Sequence, residues 1–205
     1  MTGMTGMTGM RGMRGMRVTM VAVILAVGVT RLQAQTDNVP VPDTLGANFD
    51  IEHPGTTTPD AYDYLIGEWS FRFQARRQDG SFDPQRNGHW RVWKSHDGLI
   101  VEDEWMVEPP PGQPRRITLT YRAWNPESRR WEIAGVVPGE GSFDVGTTWG
   151  TGDQRFLIQH YGDYVTRIKY YAITANHFLW RADGSSDGGR TWQRDLWRME
   201  ATRTR

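Results

Sequence analysis

The chain has 205 residues, no cysteine and a formal net charge of zero at pH 7. Without cysteine there are no disulfides, thiolate zinc sites, thiol nucleophiles or lipid-modified cysteines. Without a basic patch there is no expected nucleic-acid surface and no polybasic membrane helix.

The first 34 residues read as an address. Residues 1–17 repeat Met-Thr-Gly and Met-Arg-Gly, and Arg11, Arg14 and Arg17 precede an apolar run from Val18 to Val29. Leu32-Gln33-Ala34 follows, with small Ala34 at the expected cut. A basic segment, a short apolar run and a small residue at the cleavage point are the parts of a secretory signal. A spanning helix needs about 20 apolar residues, so this run is too short. The mature protein is expected in the periplasm or outside the cell, with no stable membrane insertion. Without Arg11, Arg14, Arg17 and Arg31 the basic residues fall from 24 to 20 against 24 acidic, a net charge of −4. Residues 35–60 are rich in Pro, Thr and Asp and read as a flexible lead-in.

From residue 61 the pattern is that of strands. A short helix is expected over Ala61–Ile66, with Thr58 as its cap and Pro59 at its first position. Beyond it, apolar residues alternate with period two. Trp69, Phe71 and Phe73 share one face, as do Ile117, Leu119 and Tyr121, then Trp131, Ile133 and Gly135, then Tyr164, Thr166, Ile168 and Tyr170. Turn chemistry such as Asp79-Gly80, Asp97-Gly98, Gly162-Asp163 and Asp187 to Gly189 separates the runs. Ten strands result, over about 68–77, 87–94, 99–107, 115–124, 130–137, 142–149, 154–161, 163–174, 177–183 and 190–202. Ten strands in an open sheet leave two adhesive edges, and closure removes them. The expected fold is all-β: an antiparallel up-and-down barrel over residues 61–205, with a sandwich as the alternative.

Leu65-Ile66-Gly67-Glu68-Trp69, directly after the short helix, resembles the opening motif of the calycin superfamily, and in particular of secreted bacterial lipocalin-like barrels. The resemblance implies that Trp69 plugs one end of the barrel and that a basic residue of the last strand, Arg198 or Arg203, lies over its ring; Arg198 is taken as the structural residue. It also implies a binding habit inside the barrel. The Gly-rich extension of haem-binding relatives is missing, and neither His160 nor His177 stands out as an axial ligand. No cofactor is expected, and haem least of all.

A second string, Ser185 to Trp192, fits the Asp-box. Asp187 would accept hydrogen bonds from the turn, Gly189 would take positive φ, and Trp192 would pack beneath. A propeller glycosidase repeats this box blade after blade. One copy here reads as a structural hairpin.

Candidate chemistry is sparse. Asp103 shares a face with Leu99, Val101, Trp105 and Val107, which makes it a carboxylate among apolar groups if that face is inside. Tyr170 and His160 are its candidate partners. No histidines stand at metal-ligand spacing, and there is no nucleophile elbow, phosphate loop or dinucleotide fingerprint. Phe71, Trp90, Trp105, Tyr121, Trp131, Tyr170 and Trp180 are the candidate lining of a cavity for a small apolar or aromatic ligand. The barrel is expected to be too wide for its own side chains to fill. Three functions follow: a binder of such a ligand, a barrel enzyme of isomerase or cyclase type with Asp103 as base, or an interaction module with an exposed patch.

Overall fold

The computed structural model describes residue 49, residues 51–141 and residues 143–205. The predicted signal segment, 1–34, and the first part of the lead-in lie outside the described residues. The strands are β1 (Gly67–Ala75), β2 (Arg86–Ser95), β3 (Ile100–Val107), β4 (Ile117–Asn125), β5 (Arg130–Val136), β6 (Phe143–Trp149), β7 (Arg155–Tyr161), β8 (Tyr164–Tyr171), β9 (His177–Ser185) and β10 (Gln193–Arg203). Each pairs antiparallel with its neighbours in sequence, and β10 returns to β1, so the sheet closes into an up-and-down barrel. Closure satisfies both edges, so the strands need no covering helices.

The expected helix over 61–66 does not form. A turn leads instead into a single 3-10 turn, Asp63–Leu65, with no side-chain cap. Six residues are too few to offset the cost of helix nucleation. What holds the segment is burial: Tyr62 and Leu65 are fully inaccessible, and they enter the barrel where β1 begins.

The lead-in is anchored along its described part rather than loose. Thr57 N–H donates to the Arg129 carbonyl at 2.8 Å, Thr57 Oγ1 donates to the Gly150 carbonyl at 2.6 Å, and Arg130 Nε donates to the Gly55 carbonyl at 2.8 Å. Upstream, Phe49 packs edge-on against Trp149 at 5.4 Å and Phe156 at 5.5 Å. With Ile158 and Val165 these rings form a second, smaller apolar cluster. Trp149, Phe156, Ile158 and Val165 all point away from the lumen, so the cluster lies on the outer wall of β6–β8.

The β9–β10 hairpin is held by Asp187. Its carboxylate accepts from Thr191 N–H at 2.9 Å, Thr191 Oγ1 at 2.8 Å and Ser185 Oγ at 2.8 Å. Gly188 and Gly189 have φ of +71° and +92°, which side-chain-bearing residues rarely adopt. Trp192 packs on the Phe49 cluster, under the Arg167 guanidinium at 4.3 Å. The Thr191 and Ser185 hydrogen bonds pull the Asp187 carboxyl down to about 2 from 3.8. A depressed carboxyl stabilises the fold above its unfolded value and stops doing so as pH falls through its folded value. The expected result is that the Asp187→Ala variant loses part of the stability difference that the native protein shows between pH 5 and pH 2 in urea titrations.

Candidate functional site

Register assigns every strand residue to the lumen or the outer wall. From β1, Trp69, Phe71 and Phe73 point inward. Their cross-strand neighbours carry that face round the barrel: Gly88 and Trp90, Asp103 and Trp105, Thr120 and Arg122, Ile133 and Gly135, Asp144 and Gly146, Leu157 and Gln159, Thr166 and Tyr170, Phe178 and Trp180, Met199 and Arg203. The strands are tilted, so the two ends of the lumen differ in composition.

The end at which β1 starts is sealed. Trp69 is 1% exposed, and its Nε1 donates to the Leu65 carbonyl at 2.8 Å. Phe178 meets it edge-on at 4.9 Å, and Tyr64, Trp90 and Tyr170 surround Phe178 in turn. Arg203, not Arg198, lies over the Trp69 ring, with Cζ 4.3 Å from the centroid. Arg203 also donates to the carbonyls of Tyr64, Ile66 and Ala175, which ties the plug to the last strand. Arg198 faces the other way and stacks on Phe82 at 3.5 Å. Register separates the two: Arg203 is the cross-strand partner of Trp69, whereas Arg198 is the partner of Gln74 on the outer wall. Gly67 takes φ +133° at the first residue of β1, against the Arg203 side chain.

Above the plug lies a charged pair. Asp103 and Arg122 are each 2% exposed and face each other across β3 and β4 as an ion pair. Arg122 also lies over the Tyr62 ring at 4.9 Å, and Tyr62 donates its hydroxyl to Thr148 Oγ1 at 2.8 Å. Burial pushes the Asp103 carboxyl up, and Arg122, Trp90 and Thr120 oppose that push. Burial alone would lower the Arg122 guanidinium, but Asp103, Tyr62 and Tyr170 outweigh it and hold Arg122 up. Tyr170 is close enough to feel both charges, and burial raises its phenol. The pair is incompletely satisfied: Asp103 Oδ1, Arg122 Nε, Trp90 Nε1 and Tyr64 Oη are buried without a hydrogen bond of good geometry.

The opposite end, where β3 and β9 finish, has two unlike walls. One is aromatic. Phe71 stacks on Trp105 at 5.3 Å with 5° between planes, and Phe73 meets Trp105 edge-on at 5.7 Å. Trp105, Val107 and Trp197 are half-buried rather than buried. The Phe71 ring lies over Gly88, where a Cβ would collide with it. Half a turn round the barrel the wall is polar and made by Asp144, Gln159, Tyr161, Tyr164 and Thr166 on β6, β7 and β8. Here too the side chains are folded onto glycines: Asp144 onto Gly135, Gln159 onto Gly146 and the Tyr164 hydroxyl onto Gly184. A glycine inside a strand costs stability and marks a close approach.

The residues singled out by sequence divide accordingly. Asp103, Tyr170, Phe71, Trp90, Trp105, Trp131 and Trp180 all face the lumen. His160 does not: β7 turns Leu157 and Gln159 inward and leaves His160 exposed on the outer wall. Tyr121 is also outside, 44% exposed, because β4 presents Thr120 and Arg122 to the lumen and its apolar alternation to solvent. Leu99 is 71% exposed, ahead of β3. Sequence reasoning misses the polar wall around Asp144; the one signal for it is the presence of glycines at 135, 146 and 184 inside strands.

Two depressions, of about 430 and 280 Å³, open on the barrel's outside across β10, β1 and β2. The larger holds His89 and Glu108, paired at 3.2 Å, and Glu200, which is paired with Arg72 and with His177 at 3.1 Å. Its charged groups already satisfy one another. Among the described residues, no three His, Asp or Glu side chains are grouped to hold a metal ion.

No described protein family matches the chain, and no curated protein matches it. Solved structures do. The crystal structure of Rv2717c from M. tuberculosis superposes with a TM-score of 0.54 at 13% identity, over 74% of this chain and 100% of that one. The structure of the S-type phycobiliprotein lyase CPES from Guillardia theta superposes with a TM-score of 0.50 at 10% identity, over 70% of this chain and 90% of that one. At such identities the likeness is one of fold, a closed antiparallel β-barrel.

Proposed function

We propose that this protein is an exported binder that takes a small apolar or aromatic molecule into the open end of its barrel. One observation supports the reading above the others. At the end away from the Trp69 plug, half-buried Trp105, stacked on buried Phe71, and half-buried Trp197 form an aromatic wall that solvent reaches through the two tryptophans. Rings that face a lumen yet keep part of their surface wet are the usual lining of a ligand site. The Asp103–Arg122 pair lies deeper on the same inward faces of β3 and β4, with buried polar atoms still able to accept or donate a hydrogen bond. Export rests on the signal-like run before residue 35, and the single Asp-box hairpin is read as a structural clip.

The enzyme alternative fares less well. Asp103 is neutralised by Arg122, and His160, one of its two candidate partners, is on the other side of the wall. An interaction surface has one observation in its favour: Ile117, Tyr121, Phe143 and Val145 are exposed on the outer face of β4–β6. A second copy of the chain is its simplest occupant, and a dimer mass in solution would support it.

The test of the binding reading is quenching of intrinsic tryptophan fluorescence by neutral naphthalenemethanol. Trp105→Ala is expected to weaken binding by about tenfold or more, the cost of losing a central aromatic contact. Tyr121→Ala, on the outer wall, is expected to leave it unchanged. Equal affinities in all three proteins would rule the aromatic wall out as the site.

A further inference from the structure

Four aspartates are buried among the described residues: Asp103, Asp144, Asp183 and Asp195. Three have a guanidinium of their own. Asp103 pairs with Arg122, Asp183 with Arg167 at 2.8 Å and Asp195 with Arg181 at 3.0 Å. Asp144 has none among the described residues. It is 7% exposed, accepts from Gln159 Nε2 at 3.0 Å through Oδ2, and leaves Oδ1 buried without a hydrogen bond. Thr166 Oγ1, on the same inward wall, is likewise unpartnered at full burial. A buried carboxylate is ordinarily paired or neutralised, because leaving the ion alone costs several kcal/mol.

The surroundings are built to keep this carboxylate in place. Asp144 faces Gly135 across the β5–β6 pair, and any Cβ at 135 would collide with it. Gly146 leaves the same room for Gln159 opposite it, and Gly184 for the Tyr164 hydroxyl. Polar groups are thus laid flat against the wall, with no bulky side chain standing over them from those three positions. Tyr161 covers the site from the β7–β8 turn. Tyr161 as a whole is 45% exposed, its hydroxyl is buried and interacts with both Asp144 and Thr166 without a well-formed hydrogen bond to either, and its hydrogen bond to Gln159 Oε1 is long at 3.5 Å. Across the lumen stands the aromatic wall of Phe71 and Trp105.

We infer that the Asp144 wall is a subsite for a protonated amine, so that the molecule taken into the barrel is a cationic aromatic whose ring faces Phe71 and Trp105 while its nitrogen supplies the cation that Asp144 lacks. An ammonium with three N–H donors can meet Asp144 Oδ1 and the Thr166 hydroxyl together. Tyr161 must swing aside, as a half-exposed residue beside a turn can.

This inference rests on the binding reading above, and the experiment separates the two. Three probes share one ring system: naphthylmethylammonium, naphthylacetate and neutral naphthalenemethanol. Their affinities for the purified protein are read by tryptophan fluorescence at pH 7. The ammonium is expected to bind about tenfold more tightly than the neutral probe, and the carboxylate more weakly than both. Asp144→Asn is close to isosteric and should bring the ammonium level with the neutral probe. Gln159→Lys places a resident cation beside Asp144 and should abolish the preference by a different route, so that one misfolded variant does not decide the outcome. If the neutral probe binds and the ammonium shows no advantage, the amine subsite is wrong and the binding reading stands. An advantage that survives both variants overturns the amine subsite in the same way. If no probe binds, both fall together.

Discussion

Replacing Arg122 by methionine is expected to destabilise the barrel by about 3–5 kcal/mol, the usual cost of stranding one partner of a buried ion pair. That is a large share of the roughly 5–15 kcal/mol typical of a whole domain. The pH dependence identifies the cause. Burial already holds the Asp103 carboxyl above its ordinary 3.8 in the folded protein. An acid raised on folding gives stability that is complete below its unfolded value and lost as pH rises through its folded value. Without Arg122 the folded value climbs further, so the loss extends toward neutral pH. Arg122→Met should therefore compare worst with the native protein at pH 7 and recover part of the deficit near pH 4, as followed by urea unfolding. The double variant Arg122→Met with Asp103→Leu should regain most of the stability, since a well-packed apolar pair often equals or betters a buried ionic one. A deficit that is the same at every pH would mean that Arg122 acts through its packing on Tyr62 instead.

Trp69→Ala is expected to cost about 3–5 kcal/mol, the range for truncating a fully buried large aromatic residue. The ring fills the sealed end, and three groups depend on it: Phe178 against its edge, Arg203 over its face and the Leu65 carbonyl at its Nε1. Trp69→Phe keeps a ring for Arg203 and Phe178 and leaves the Leu65 carbonyl without its donor, so a smaller loss, about 1–2 kcal/mol, is expected. Thermal unfolding of both variants checks the order. Equal losses would mean that the hydrogen bond to Leu65, rather than the filled volume, holds the plug.

The fold is legible in the sequence because a half-buried strand has one unmistakable signature. Period-two alternation bounded by Gly, Asn and Asp places all ten strands within about three residues of their observed ends. Faces are harder to read. Asp103 reads as an inward carboxylate only on the condition that the face it shares with Val101, Trp105 and Val107 is the inner one, and register puts that face inside. On β4 the same rule misleads: Ile117, Leu119 and Tyr121 are the apolar set, yet they face solvent, while Thr118, Thr120 and Arg122 face in. On β6 the apolar Phe143 and Val145 are outside and Asp144 is inside. Hydrophobic alternation shows that a strand has two faces; it names the inner one only when the lumen is apolar. Where the lumen holds a charge pair and a polar wall, the sign reverses. The exchange of Arg198 for Arg203 has a different origin. Arg198 and Arg203 differ in parity along an unbroken ladder, and only the register against β1, which no local pattern announces, sets Arg203 rather than Arg198 beside Trp69.

The polar wall has a cost that argues for a role. Gly135, Gly146 and Gly184 each weaken the strand that carries them, and Asp144 gives up solvation without gaining a cation among the described residues. A barrel selected only for stability would have placed branched apolar residues there. The outer wall shows that the same sheet can manage this: Ile158 and Val165 lie on β7 and β8 and pack against Phe156 and Trp149.

The most direct test of the central claim is native mass spectrometry of the protein purified gently from the cells that make it. A folded barrel carrying one small molecule, released when the protein is denatured, is the predicted result. A bare polypeptide mass, from a protein that is folded and has not been exposed to detergent or organic solvent, would contradict it.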